Sequence, residues 1–275
     1  MLSMNVHLFG AVRAPQEVAV KDFFMGESSP GMIDWTTMPT YNTIMSLAAG
    51  AGLVTLVLFV RDLLRHRTED PVSTDGWALT FGALGSILTL SGLHMSLTWP
   101  LAAGGFAFDN VIFGETSLGF GVLLVALALF LWKRGDRILE SPSPVSEVSR
   151  AARPLSIFIA GLGLALLAIM FAGIVYQLFA APPQEPISGA FAEWPIVEAI
   201  FMSLLFGLVG VGAVLAPLAI RSLVSLPSSA GEDTSTQVPA IAQVVGVLWL
   251  VTGLVFVLFG AMNFYTHIGL IVNTM

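Results

Sequence analysis

Six apolar stretches, residues 40–60, 76–101, 116–132, 154–181, 195–220 and 239–265, dominate this chain, and Glu198 is the only Asp, Glu, Lys or Arg in any of them. A helix rises 1.5 Å per residue, so about 20 residues cross the roughly 30 Å hydrocarbon core of a bilayer. A soluble domain carries about 25% charged residues. Here the figure is 11%, with a mean hydropathy of +0.86, so the stretches read as transmembrane helices rather than a water-soluble core. A transmembrane barrel would show short segments of alternating polarity, whereas residues 122–131 are apolar on every face. The expected fold is all-α: a polytopic transmembrane helical bundle of six spans. Its organisation is an amino-terminal arm over residues 1–39 and a single membrane domain with short loops over residues 40–275.

Lys and Arg are retained in cytoplasmic loops, and nine of the eleven fall in alternate loops. Arg61, Arg65 and Arg67 follow the first span. Lys133, Arg134, Arg137, Arg150 and Arg153 lie between the third and fourth, and Arg221 follows the fifth. The intervening loops, 102–115 and 182–198, have no Lys or Arg but contain Asp109, Glu115, Glu185, Glu193 and Glu198. This pattern places both termini on the non-cytoplasmic side, against a weak opposing signal from Arg13 and Lys21 in the arm. The arm lacks the basic, apolar and small-residue succession of a cleavable signal, so the first span is expected to direct insertion. Residues 141–146 and 225–237 are rich in Ser, Pro, Thr and acids and read as linkers.

The spans that start on the non-cytoplasmic side share a polar opening: Asn42 lies three residues after Pro39, Glu198 three after Pro195, and Glu115 stands before the third span. The returning spans become polar near the same face, at His94, at Tyr176-Gln177, and at Asn263 leading to His267. The implied plan is three repeated helical hairpins with polar outer ends.

His94 lies inside a charge-free span, where an ionisable group usually faces protein and often marks a site. Ser91 and Thr98 extend a polar stripe along its helix face. His267, four residues after Asn263, does the same on the last helix if that helix continues so far. The candidate site is therefore His94 and His267 as ligands of a b-type haem, or His94, Glu115, Glu198 and His267 around a transition metal, with Met95 and Met262 as soft ligands. No Glu-x-x-His or His-x-x-x-His pair supports a metal directly, and simple hydrogen bonding within the bundle accounts for the same residues. The absence of cysteine removes thiolate chemistry and disulfides. No basic patch interleaved with aromatics suggests nucleic acid as a partner. The small-residue rows around Gly82 to Gly85, Gly161 to Gly163 and Gly207 to Gly212 read as close helix contacts rather than nucleotide loops.

The stretch Gly92-Leu93-His94-Met95-Ser96-Leu97-Thr98-Trp99-Pro100-Leu101, with Asn110-Val111-Ile112-Phe113-Gly114-Glu115 after it, resembles a prokaryotic membrane family, the domain-of-unknown-function family 981. The resemblance covers most of the spans. It implies a multi-pass protein of a prokaryotic cytoplasmic membrane and carries no activity across. The expected partners are the lipid bilayer and other membrane subunits. The leading functional expectation is a metal- or haem-binding accessory of a redox or respiratory assembly. A small-solute or ion transporter and a cofactor-free structural subunit are the alternatives.

Overall fold

The apolar stretches fold into six long helices. The structure, a computed structural model, describes residues 23–66, 72–98, 101, 106–226 and 238–275. The helices are α1 (Asn42–Arg65), α2 (Thr74–Leu97), α3 (Thr116–Leu139), a short α4 (Pro144–Ala152), α5 (Ser156–Tyr176), α6 (Pro195–Val224) and α7 (Ala240–Thr274). All but α4 are long and apolar enough to cross a membrane. The protein is a multi-pass helical membrane bundle. Large apolar side chains such as Leu79 (76% exposed) and Ile157 (82%) stand outward around it. In water they would form an aggregating surface, and in a bilayer they form the lipid face.

The helix ends follow local chemistry. Ser73 caps α2 by accepting a hydrogen bond from the Gly76 N–H at 3.1 Å. The span containing α3 begins earlier than residue 116, with a π-helical turn over Asn110–Glu115. At its start the Asn110 amide donates to the Met95 and Thr98 carbonyls, at 2.5 and 3.0 Å, satisfying acceptors at the end of α2. Residues 144–146, read as linker, instead start α4. Pro144 suits its first turn, and Val145, Ser146 and Ser149 are buried. The Ser146 hydroxyl donates to the Val224 carbonyl at 2.9 Å, docking α4 against the end of α6. Of the other linker, residues 227–237 lie outside the described residues, as do His7, Arg13, Lys21 and Arg67.

Three antiparallel pairs make the bundle: α2 with α3, α5 with α6, and α7 with α1. The three-pair plan is present with its partners shifted by one span, since consecutive helices pair across the loops expected outside and the last helix closes on the first. Each pair is held by glycine. Gly50 and Gly253 bring the α1 and α7 backbones together, Gly85 lies on Gly121 and Val125, and Gly163 lies on Gly210 and Val214, with no room for a methyl group at any of these contacts. Lipid offers no hydrophobic drive for helices to associate, so backbone approach at small residues supplies the packing instead. Of the three rows expected to make such contacts, Gly85, Gly163 and Gly210 do so, whereas Gly161 faces open space.

Contact between α3 and α5 is sparse, with Gly119 against Leu162 where they meet. The centre of the bundle is therefore not filled evenly. Phe59, Phe81, Leu88 and Leu131 form one core among α1, α2 and α3. A second core joins Leu53, Ile112, Ile169, Phe206 and Phe256.

Helix α7 has 35 residues and is about 52 Å long, about 20 Å more than the hydrocarbon core needs. The apolar stretch ending at residue 265 thus understates the helix. Its excess is held at the carboxy-terminal end by the arm and by the loop between α5 and α6. Trp35 Nε1 donates to Thr274 Oγ1 at 3.0 Å, the Tyr265 hydroxyl donates to the Phe24 carbonyl at 2.7 Å, and Asn273 Nδ2 donates to the Met25 and Gln184 carbonyls. Backbone bonds from Glu27 to Pro183 and from Ile187 to Phe23 complete the cap. This end is the arm side of the bundle. The described Lys and Arg residues, Arg61, Arg65, Lys133, Arg134, Arg137, Arg150, Arg153 and Arg221, all lie at or near helix ends on the opposite, basic side.

Candidate functional site

A cavity of about 1070 Å³ runs between the helices from the arm side to the basic side. Side chains of α1, α3, α5, α6 and α7 line it, and none comes from α2. Its middle is apolar and aromatic. Phe113, Phe206 and Phe179 pack in sequence, with Phe179 and Phe206 stacked at 5.5 Å between ring centroids, and Phe256 meets Phe206 edge-on. At the basic side the α4 residues Val148 and Ser149 and, on α1, Arg61 line it. Arg61 is the only Lys or Arg among the described lining residues.

The arm end is different in chemistry. Trp35 and Pro39 of the arm, Asp109, Glu185, Glu198, Asn42, Asn263 and His267 all line it. Glu185 stands in Pro182-Pro183-Gln184-Glu185-Pro186, a segment whose three prolines limit its backbone freedom. The arm clamps this segment so tightly that a Cβ at Gly26, itself at φ +71°, would collide with the Gln184 carbonyl. The result holds Glu185 Oε1 3.8 Å from His267 Nε2. Glu198, in the first turn of α6, accepts a hydrogen bond from the Ala181 N–H at 2.7 Å and fixes the other end of the loop.

Burial sets the acidity of Glu185 and Asp109, which lie outside the spans. Loss of water pushes Glu185 up to about 7, and the Glu198 charge acts in the same direction. Burial likewise pushes Asp109 up to about 7. Both groups therefore exchange protons near neutrality. The side-chain oxygens of Asn42 and Asn263 are buried at the same end without a hydrogen-bond partner.

The residues expected from sequence divide into two groups. Glu198 and His267 line the cavity. His94 and Glu115 are exposed on neighbouring helices and do not line it. His94 Nδ1 is 2.6 Å from the Tyr41 hydroxyl, tying the start of α1 to the end of α2. Met95 is fully buried against Gly114, and Met262 does not line the cavity. Among the described residues no group of three His, Asp or Glu side chains is placed to hold a metal ion. Asp109 and Glu185 counted in the sequence only as loop acids. The proline bracket around Glu185 was the one local sign that its loop is structured.

A family described as a protein of unknown function (DUF981) matches residues 38–269. No protein of curated function and no solved structure matches the chain. The chain belongs to the DUF981 family, and the match covers the first five membrane-crossing helices in full and the sixth as far as residue 269.

Proposed function

We propose that this protein binds an amphiphilic molecule within the membrane, its apolar body in the central cavity and its polar head at the arm end. The observation that carries this reading is the cavity itself: about 1070 Å³, apolar through its middle, with Asp109, Glu185, Glu198, Asn263 and His267 gathered at one end. Ligand sites are commonly about 300 to 1,000 Å³, mostly apolar, with a few placed polar groups. The sparse α3–α5 contact supports lateral access from lipid.

Haem or metal ligation has less support, because His94 and Glu115 stand apart from the cavity that His267 and Glu198 line. An ion transporter would require a hydrated path, and the lining between Phe113, Phe206 and Phe256 favours hydrocarbon instead. The segregation of Lys and Arg to one side supports an orientation with the arm and carboxy terminus on the non-cytoplasmic side of a prokaryotic cytoplasmic membrane.

The test is to extract and identify amphiphiles that copurify with the protein. Ala49→Phe and Ser117→Phe, which fill the cavity from α1 and α3, are expected to lower recovery of a specific amphiphile about fivefold or more without loss of the fold. Equal recovery from wild type and both variants would overturn the reading.

A further inference from the structure

We infer that the polar head taken at the arm end is a cation, an ammonium group on a hydrophobic chain, held by Glu185 and Glu198 with Asn263 as a third acceptor. This inference rests on the proposed cavity function and names its ligand class.

Charge distribution carries the argument first. The described arm-side segments hold Glu27, Asp34, Asp109, Glu115, Glu185, Glu193 and Glu198 and no Lys or Arg. Arg61, the one basic side chain of the lining apart from His267, belongs to the opposite end of α1. Among the described residues an anionic head would meet carboxylates at the arm end with no Lys or Arg to receive it.

Hydrogen-bonding capacity points the same way. Asn263 is 8% exposed, lines the cavity, and its buried side-chain oxygen has no partner. Asn42 presents a second unpartnered oxygen there. Glu198 has one carboxylate oxygen committed to the Ala181 N–H. The two carboxyls and these oxygens are acceptors, and a donor head is complementary to them. An ammonium supplies donors and charge together. Trp35 and Phe264 line the same end, and aromatic faces attract cations.

Desolvation explains why such a site waits for a cation. A carboxylate removed from water is costly unless paired, and His267 at 3.8 Å is Glu185's only basic neighbour within salt-bridge range among the described residues. The raised pKa of Glu185 is that cost expressed as proton uptake. A bound ammonium would meet the same need, so proton and ligand compete for one carboxylate.

The experiment measures binding of chain-matched dodecylammonium, dodecanol and dodecanoate to the full chain in lipid nanodiscs, corrected for empty nanodiscs. Dodecylammonium is expected to bind about tenfold tighter than dodecanol or dodecanoate. The double variant Glu185→Gln, Glu198→Gln should remove that preference, bringing dodecylammonium to the affinity of dodecanol in the same protein. Dodecanol or dodecanoate binding as tightly as the amine would overturn the cation assignment and leave the cavity reading standing. Dodecanoate favoured, with the preference lost in Arg61→Gln, would move the head to the basic side. No saturable binding of any chain would overturn the cavity reading as well. The head-group series on the wild-type protein decides the question even if the double variant does not fold.

Discussion

Glu185 Oε1 lies 3.8 Å from His267 Nε2, so the proline-rich loop between α5 and α6 meets the outer third of α7 through a carboxyl and an imidazole at the mouth of the cavity. The pairing joins residues 82 positions apart in sequence, and it depends on α7 continuing past the apolar stretch that ends at residue 265.

Glu185 makes stability depend on pH. Burial raises its carboxyl from 4.5 to about 7, so between those values the folded protein holds more of this proton than the unfolded chain. The contribution is present in full below about 4.5 and is lost as pH rises through 7, a change on the order of 3 kcal/mol. Asp109 acts with the same sign. Thermal unfolding in detergent should therefore show Tm falling from pH 5 to pH 8. Glu185→Gln, which cannot ionise, should flatten part of that fall and exceed wild type at pH 8. A variant profile parallel to wild type would show that Glu185 is not the group responsible.

Glycines two residues apart should behave oppositely. A Cβ at Gly163 meets the Val214 backbone, whereas Gly161 faces open space. Gly163→Leu should lower stability by about 1 to 3 kcal/mol or abolish folding, and Gly161→Leu should be close to neutral. Tm in one detergent measures both. Equal effects would mean that α5 and α6 do not pack through Gly163.

The cap should loosen when Asn273 is removed. Its amide donates at 2.6 Å to the Met25 carbonyl and at 2.8 Å to the Gln184 carbonyl. Asn273→Leu leaves both acceptors without this donor, at a cost of about 1 to 2 kcal/mol. Hydrogen exchange should rise across residues 24–32 and 183–189 and stay unchanged in α2. Uniform protection in those segments would show that the arm is held by other contacts.

Topology is open to a direct check because the chain contains no cysteine. Single substitutions Glu193→Cys and Lys133→Cys lie on the arm side and the basic side. A membrane-impermeant maleimide added to intact cells should label only the former. Labelling of the latter alone would invert the orientation.

His94→Ala should leave amphiphile binding unchanged, since His94 does not line the cavity. Its bond to Tyr41 predicts a modest loss of stability, about 1 kcal/mol, read as a small drop in Tm. Loss of bound amphiphile in a folded His94→Ala protein would return His94 to the site.

Residues on a single helix were legible from spacing alone. The depth of Glu198, the polar stripe through Asn263 and His267, and the small-residue rows were all visible before any packing was known. Their partners were not. His94 looked like the leading site residue because an imidazole in an apolar span is unusual, yet its helix α2 turns that side chain to Tyr41 at the bundle's surface. Asp109 and Glu185 looked like ordinary loop acids because nothing local reveals burial by a distant segment.

By itself the sequence determined that this protein is a six-helix membrane bundle and that its charges are divided between two faces. Those properties depend on hydrophobic length and on the cost of placing a charge in hydrocarbon, both readable along one chain. Tertiary structure alone decided which helices pair, that α7 closes on α1, and that Glu185, Glu198, Asn263 and His267 share a cavity end that His94 does not. In lipid, helix pairing depends on how closely particular backbones approach, as at Gly50 and Gly253, and that complementarity belongs to two surfaces at once.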